Sequence, residues 1–155
     1  MSNSAVKTYL YKAIRKYRYS YYLKLLNPTA RTLIDLGCRD HEFVQLVKRK
    51  GYEAIGTDIE NDIHVTQSSA DIITCFQVLE HIEDPLKAVK NIAKLCYRQL
   101  IISVPNEPWF SLFRLSWEPE HLWAITPMIL KRYLGPPTHE SFIFFKRYYV
   151  GVWER

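Results

Sequence analysis

An alternation limits what this chain can become. Four short apolar runs, Thr32–Leu36, Glu53–Thr57, Asp71–Phe76 and Leu100–Val104, give way in turn to Gly37, Asp58, Gln77 and Pro105-Asn106. Runs of that length, bounded that way, read as strands buried on both faces. Asp40–Lys50 reads as a helix with Phe43, Leu46 and Val47 inward and Gly51 past its end. Asp84-Pro85 opens another, cap then proline, with Leu86, Val89, Ile92 or Ala93, and Cys96 as its apolar face. Ile63–Val65 fits a short further strand. Thr126-Pro127 starts a last helix that reaches Leu134 and stops at Gly135. Ser141–Phe145 and Tyr148–Trp153 read as a hairpin around Lys146-Arg147. Strands alternating with helices predict an α/β sheet covered on both faces. Its ligand belongs at the carboxyl ends of the strands.

The 155 residues suit one domain, 1–155, divided into an N-terminal helix (1–28) and a core (29–155). Disorder is excluded by the 48% hydrophobic content. Three cysteines without C-x-x-C spacing argue for reduced thiols, hence a cytoplasmic protein, over disulfides or a zinc knuckle. No apolar run is long enough to span a membrane, and Lys7, Lys12 and Arg15 interrupt any signal-peptide core. The net charge of +5 is uneven: Lys7, Lys12, Arg15, Lys16, Arg18, Lys24 and Arg31 meet no acid before residue 32. Val6, Leu10, Ile14, Tyr17, Tyr21 and Leu25 mark one helical face there, and Asn27-Pro28 ends it. The bases share the other face with Tyr11, Tyr19 and Tyr22. That face fits either an anionic partner such as single-stranded nucleic acid, or tyrosines covering the core.

The strand ends carry the chemistry. Asp35-Leu36-Gly37 leads from the first strand into a glycine turn and a helix, a cradle for the polar end of a cofactor. Asp58 ends the second strand, where a carboxylate can accept both hydroxyls of a ribose. Then come Val78-Leu79-Glu80-His81-Ile82-Glu83-Asp84-Pro85, Ile101-Ile102-Ser103-Val104-Pro105-Asn106, and Glu120-His121-Leu122-Trp123 followed by Thr126. With these three stretches in order, Thr32–Thr126 resembles the class I S-adenosylmethionine-dependent methyltransferases. It is most similar to the ubiquinone-biosynthesis-type subgroup acting on small molecules. The resemblance implies a Rossmann-like, mostly parallel sheet with helices on both faces and a C-terminal antiparallel hairpin.

It also implies roles. Asp35 and Gly37 would hold the methionine end of S-adenosylmethionine, Asp58 the ribose and Ile59 the adenine, while Phe76 and Gln77 would line the sulfonium side. Glu80, His81 and His121 are the candidate bases, and each could equally be a structural polar group. Trp109, Phe110, Trp117 and Trp123 would close over a small-molecule or glycan-like acceptor, or belong to the core. Two departures stand out. Arg39 and His41 occupy positions where the family has glycines; Arg39 would pair with the methionine carboxylate or else block the site. Only 12 residues separate Asp58 from Asp71, so the family's helix at that point is deleted. Some relatives bind a metal through Glu-x-x-Glu-His; Gln77 replaces the first Glu, so no metal site is expected. Three readings follow: a methyltransferase for small acceptors, one for nucleic acid or protein recruited by the basic helix, or a degenerate fold that binds without catalysis.

Overall fold

The computed structural model describes residues 3–57, 69–95, 97–106 and 121–155. Helix α1 (Asn3–Leu25) is followed by β1 (Thr32–Leu36), α2 (Glu42–Arg49), β2 (Glu53–Thr57) and β3 (Ile72–Phe76). A 3-10 turn (Leu79–His81), α3 (Pro85–Ile92), β4 (Gln99–Pro105), α4 (Pro127–Leu134), β5 (His139–Ile143) and β6 (Tyr148–Glu154) complete the described elements. The six strands form one sheet in the order β2-β1-β3-β4-β6-β5. The first four are parallel, and β6 runs antiparallel to both β4 and β5. The Rossmann-like expectation holds. Because β1 is flanked by β2 and β3, the chain reverses direction there, and such reversals open a crevice at the strand ends.

Side chains alternate across this sheet with a period of two, so each face builds its own core. Ile73, Leu100 and Ile102 pack with Ala88, Val89 and Ile92 of α3 and with Leu130 of α4. Ile72 and Ile101 face the other way, toward Phe43, Val44 and Val47 of α2 and Tyr22 of α1. Capping fixes where the helices begin. The Asp84 carboxylate accepts from Lys87 N at 2.9 Å with Pro85 at the first helical position, and Thr126 Oγ1 accepts from Ile129 N at 3.4 Å.

Several sequence expectations are corrected. In α1, Val6, Leu10 and Tyr17 are exposed, while Ile14, Arg18 and Tyr22 are buried, as is Leu26 just past the helix. Residues 5–13 are all exposed, so nothing described in the sheet meets the face that their periodicity suggested. Further along, the helix is pinned by polar contacts. Buried Gln99 donates to Leu25 O and accepts from Asn27 N, both at 3.0 Å, and Tyr21 Oη donates to Ser141 Oγ at 2.7 Å. Leu86 is exposed in α3, where Pro85 and Ala88 turn inward instead. In α2 Leu46 is only half-buried, and Val44 takes its place in the core. Phe144 and Phe145 leave the hairpin strand: with Lys146 they adopt φ of 49°, 55° and 62°, a left-handed turn that ends β5 early. Ile63–Val65 and Cys96 lie outside the described residues. Among the described residues no helix is long and apolar enough to cross a membrane.

Candidate cofactor and acceptor cleft

The crevice at the strand ends is a cleft of about 450 Å3, within the size range of small-molecule sites. Its floor comes from two turns. After β1, Gly37 has φ +76°, and a Cβ there would come within 2.5 Å of Val78 Cγ2, so only glycine fits. After β3, Gln77 holds φ 56° without being glycine, and its Nε2 donates to Ser103 Oγ at 3.0 Å. Non-glycine residues in this region store strain of about 1–3 kcal/mol and cluster at functional sites. His41, in the position where the family has a glycine, keeps a left-handed backbone (φ 53°) despite its side chain. Its Nδ1 lies 3.4 Å from Cys38 Sγ.

Asp35 lines the cleft although only 5% of its surface is exposed. Its Oδ1 accepts from Thr74 Oγ1 at 2.6 Å. Burial raises its pKa to about 7; the Thr74 bond opposes this, and the nearby Asp40 charge adds to it. A carboxyl held at that balance is a receptor for a cation such as an ammonium group, whose charge would restore the ionised form.

Helix α1 forms the facing wall. Tyr11, Arg15, Arg18 and Tyr22, spaced by four, three and four, all line the cleft. Tyr22 is fully buried, stacks on Phe76 with 3.9 Å between ring centres, and donates to Ser103 Oγ at 2.7 Å. Arg15 pairs with Asp40 and, at 2.9 Å, with Glu42, tying the helix to the start of α2. Arg18 is buried over the Tyr148 ring, 4.7 Å from its centre, and no carboxylate among the described residues pairs with it. Burying an unmatched cation costs several kcal/mol, and a ring contact returns about 2 kcal/mol.

Of the residues singled out from sequence, Asp35, Gly37, Arg39, Phe76, Gln77 and His81 line this one cleft. Arg39 is exposed there. Asp58, Ile59, Trp109, Phe110 and Trp117 lie outside the described residues. Glu80 and His121 are not among the lining residues. Glu80 is fully buried, and its carbonyl accepts from Leu122 N at 2.8 Å and Trp123 N at 3.3 Å, which fastens the His121 segment to the 3-10 turn. The His81 and His121 rings meet edge-on, with centres 4.7 Å apart. Trp123 is about half exposed and so not core. Glu80, His81 and His121 place one ligand atom each within 4.8 Å of one another, a set that could hold a metal ion. That set bypasses Gln77, the residue on which the sequence expectation of no metal rested. Sequence reasoning had Arg15 and Arg18 only as bases of the N-terminal helix, although the 11-15-18-22 spacing could have placed them on one face with Tyr11 and Tyr22, and it missed Thr74 and Ser103.

A family model described as a methyltransferase domain matches residues 9–143. Comparison with curated proteins finds no match. Among solved structures the chain is similar to a SAM-dependent methyltransferase from Archaeoglobus fulgidus. The identity is 20% and the TM-score 0.69, over 92% of this chain and 94% of that one. It is also similar to the magnesium protoporphyrin IX methyltransferase of Synechocystis, at 13% identity and TM-score 0.56 over 92% and 82% of the two chains. A third is the small RNA methyltransferase HEN1, at 18% identity and TM-score 0.67, over 91% of this chain and 25% of that one. With the family model spanning most of the sequence, the chain belongs to the methyltransferase-domain family of class I, which draws its methyl group from S-adenosylmethionine.

Proposed function

We propose that the chain transfers a methyl group from S-adenosylmethionine to a small-molecule or glycan-like acceptor, in the manner of the ubiquinone-type subgroup. The observation that carries this reading is the convergence of Asp35, Gly37, Phe76 and Gln77 on one cleft at the switch point of the sheet. The residues present fit the cofactor: a turn that admits only glycine, a buried carboxyl suited to an ammonium group, and an exposed guanidinium, that of Arg39, among the lining residues. In this reading Asp35 receives the amino group, Arg39 the methionine carboxylate, Asp58 the ribose and Ile59 the adenine. Phe76 and Gln77 border the reacting side.

When bound, the cofactor supplies an electrophilic methyl group on a sulfonium. The chain contributes alignment in a cleft walled by Tyr22 and Phe76, and alignment alone can supply several kcal/mol. His81 accepts the acceptor's proton where that acceptor is a hydroxyl. Its ring is held by His121, whose own segment hangs on Glu80. The test is transfer of labelled methyl from S-adenosylmethionine into small-molecule extracts. His81→Ala should abolish transfer while leaving S-adenosylhomocysteine affinity within about threefold. Unchanged transfer would remove His81 from the chemistry.

One observation favours a second reading. Tyr9, Tyr11 and Tyr17 are exposed on α1 among Lys7, Lys12 and Lys16, a surface on which single-stranded nucleic acid could stack. It requires salt-sensitive RNA or DNA binding that disappears with Tyr9→Ala/Tyr17→Ala.

A further inference from the structure

One charged group of the cleft has no task in that scheme. Arg18 sits one turn before Tyr22, with 7% of its surface exposed. Its Nε is shut off from solvent and has no hydrogen-bond acceptor among the described residues. The ion pairs to Asp40 and Glu42 are made by Arg15, one turn earlier. Arg18 instead lies over the Tyr148 ring, and a second guanidinium, that of Arg147, lies 5.6 Å from the centre of the same ring. A ring face attracts a guanidinium but accepts none of the hydrogen bonds that its N–H fork offers in the plane. A planar or tetrahedral oxyanion can accept two at once.

Position along the sheet indicates whose anion it is. The cofactor's methionine end is assigned to the turn after β1, at Gly37, and its reacting side to the turn after β3, at Phe76 and Gln77. Tyr148 opens β6, on the far side of β4 from β3, where it is paired with Pro105. The stacked rings of Tyr22 and Phe76 mark the β3 end of the wall. Arg18 therefore occupies the half of the cleft that the cofactor leaves to the acceptor.

We propose that Arg18 binds a carboxylate or phosphate on the methyl acceptor, making the substrate a small anion that is held by its charge against Tyr148. This rests on the methyltransferase reading of the cleft and narrows its substrate class. A buried cation that no carboxylate among the described residues pairs, kept beside a cleft, is then a binding device, maintained against its own desolvation.

The full chain, saturated with S-adenosylhomocysteine, is titrated calorimetrically with inorganic phosphate and with benzoate, and melted in their presence. The wild type should bind at least one probe and melt higher with it. Arg18→Gln should weaken that probe tenfold or more while leaving S-adenosylhomocysteine affinity within twofold. Arg18→Lys, which keeps the charge without the fork, should fall between them. Without any probe, Arg18→Gln should melt at or above the wild-type temperature, whereas a purely structural pin on Tyr148 would make it melt lower. Probe affinity equal in wild type and Arg18→Gln would overturn the proposal. So would loss of S-adenosylhomocysteine with the probe unaffected, which would give Arg18 to the cofactor. Arg18-dependent binding of a single-stranded oligonucleotide, with neither small probe bound, would also overturn it in favour of a nucleic-acid backbone. Arg18-dependent probe binding in a protein that ignores S-adenosylhomocysteine would support the anion site and sink the methyltransferase reading alone.

Discussion

Asp35 should make the stability of this protein fall as pH rises, and Asp35→Asn should remove that fall. Burial lifts its pKa from an ordinary 3.8 to about 7, so the folded state holds its proton more tightly than the unfolded chain does. The sign follows: stability is complete below the unfolded pKa, declines from about pH 4 to about pH 7, and is flat above. The slope approaches about 1.4 kcal/mol per pH unit for one proton, and the full penalty for the ionised form is roughly 4 kcal/mol. Asn at 35 keeps an oxygen for Thr74 Oγ1, now 2.6 Å from Asp35 Oδ1, and carries no charge. Urea unfolding between pH 5 and pH 8 measures the effect. The variant should be more stable than the wild type by about 1–2 kcal/mol at pH 5 and by roughly 4 kcal/mol at pH 8, the gap widening with pH. A variant that is less stable at pH 8, with the wild-type slope intact, would mean that the carboxylate is ionised and paired, and the argument from burial would be wrong. The same linkage predicts that an ammonium-bearing ligand expels a proton from Asp35 on binding near pH 6, visible as a buffer-dependent enthalpy.

Tyr22→Phe removes the hydroxyl bonded to Ser103 Oγ in a fully buried setting and should cost about 1–2 kcal/mol in chemical denaturation, with α1 still docked. Tyr22→Ala also forfeits the stack on Phe76 and should cost about 3–5 kcal/mol, with α1 becoming open to proteolysis. His41→Gly relieves a left-handed backbone at φ 53° and should stabilise by about 1 kcal/mol, a melting shift of a few degrees. Arg15→Ala breaks partly exposed pairs to Asp40 and Glu42 and should cost under about 1 kcal/mol, a difference that shrinks in high salt.

The parallel sheet was legible because its strands are short apolar runs closed by turn residues. Thr32–Leu36 and Glu53–Thr57 match the observed strands to the residue. Both helix starts marked by a cap and proline, at Asp84 and Thr126, also held. The face of α1 was misread for a physical reason. Periodicity reports which residues could share a face, but burial depends on where the sheet ends, and residues 5–13 are exposed. The inward stripe is built from Arg18 and Tyr22, which an apolar count passes over. Phe144 and Phe145 were misassigned because their side chains favour strands, whereas the turn demands positive φ. In the site, Asp35, Gly37, Phe76 and Gln77 were recoverable because strand ends converge by topology. Thr74 was not, since its role depends on Asp35 far along the chain, and for Arg18 the spacing marked the stripe but not its partner Tyr148.

We propose the cleft between Gly37, Asp35 and Gln77 as the seat of S-adenosylmethionine. Calorimetric titration of the purified chain with S-adenosylmethionine and S-adenosylhomocysteine, with Asp58→Ala as control, tests it most directly. Micromolar binding, lost in the control, is the predicted result. A folded chain that takes up neither compound at millimolar concentration would contradict it.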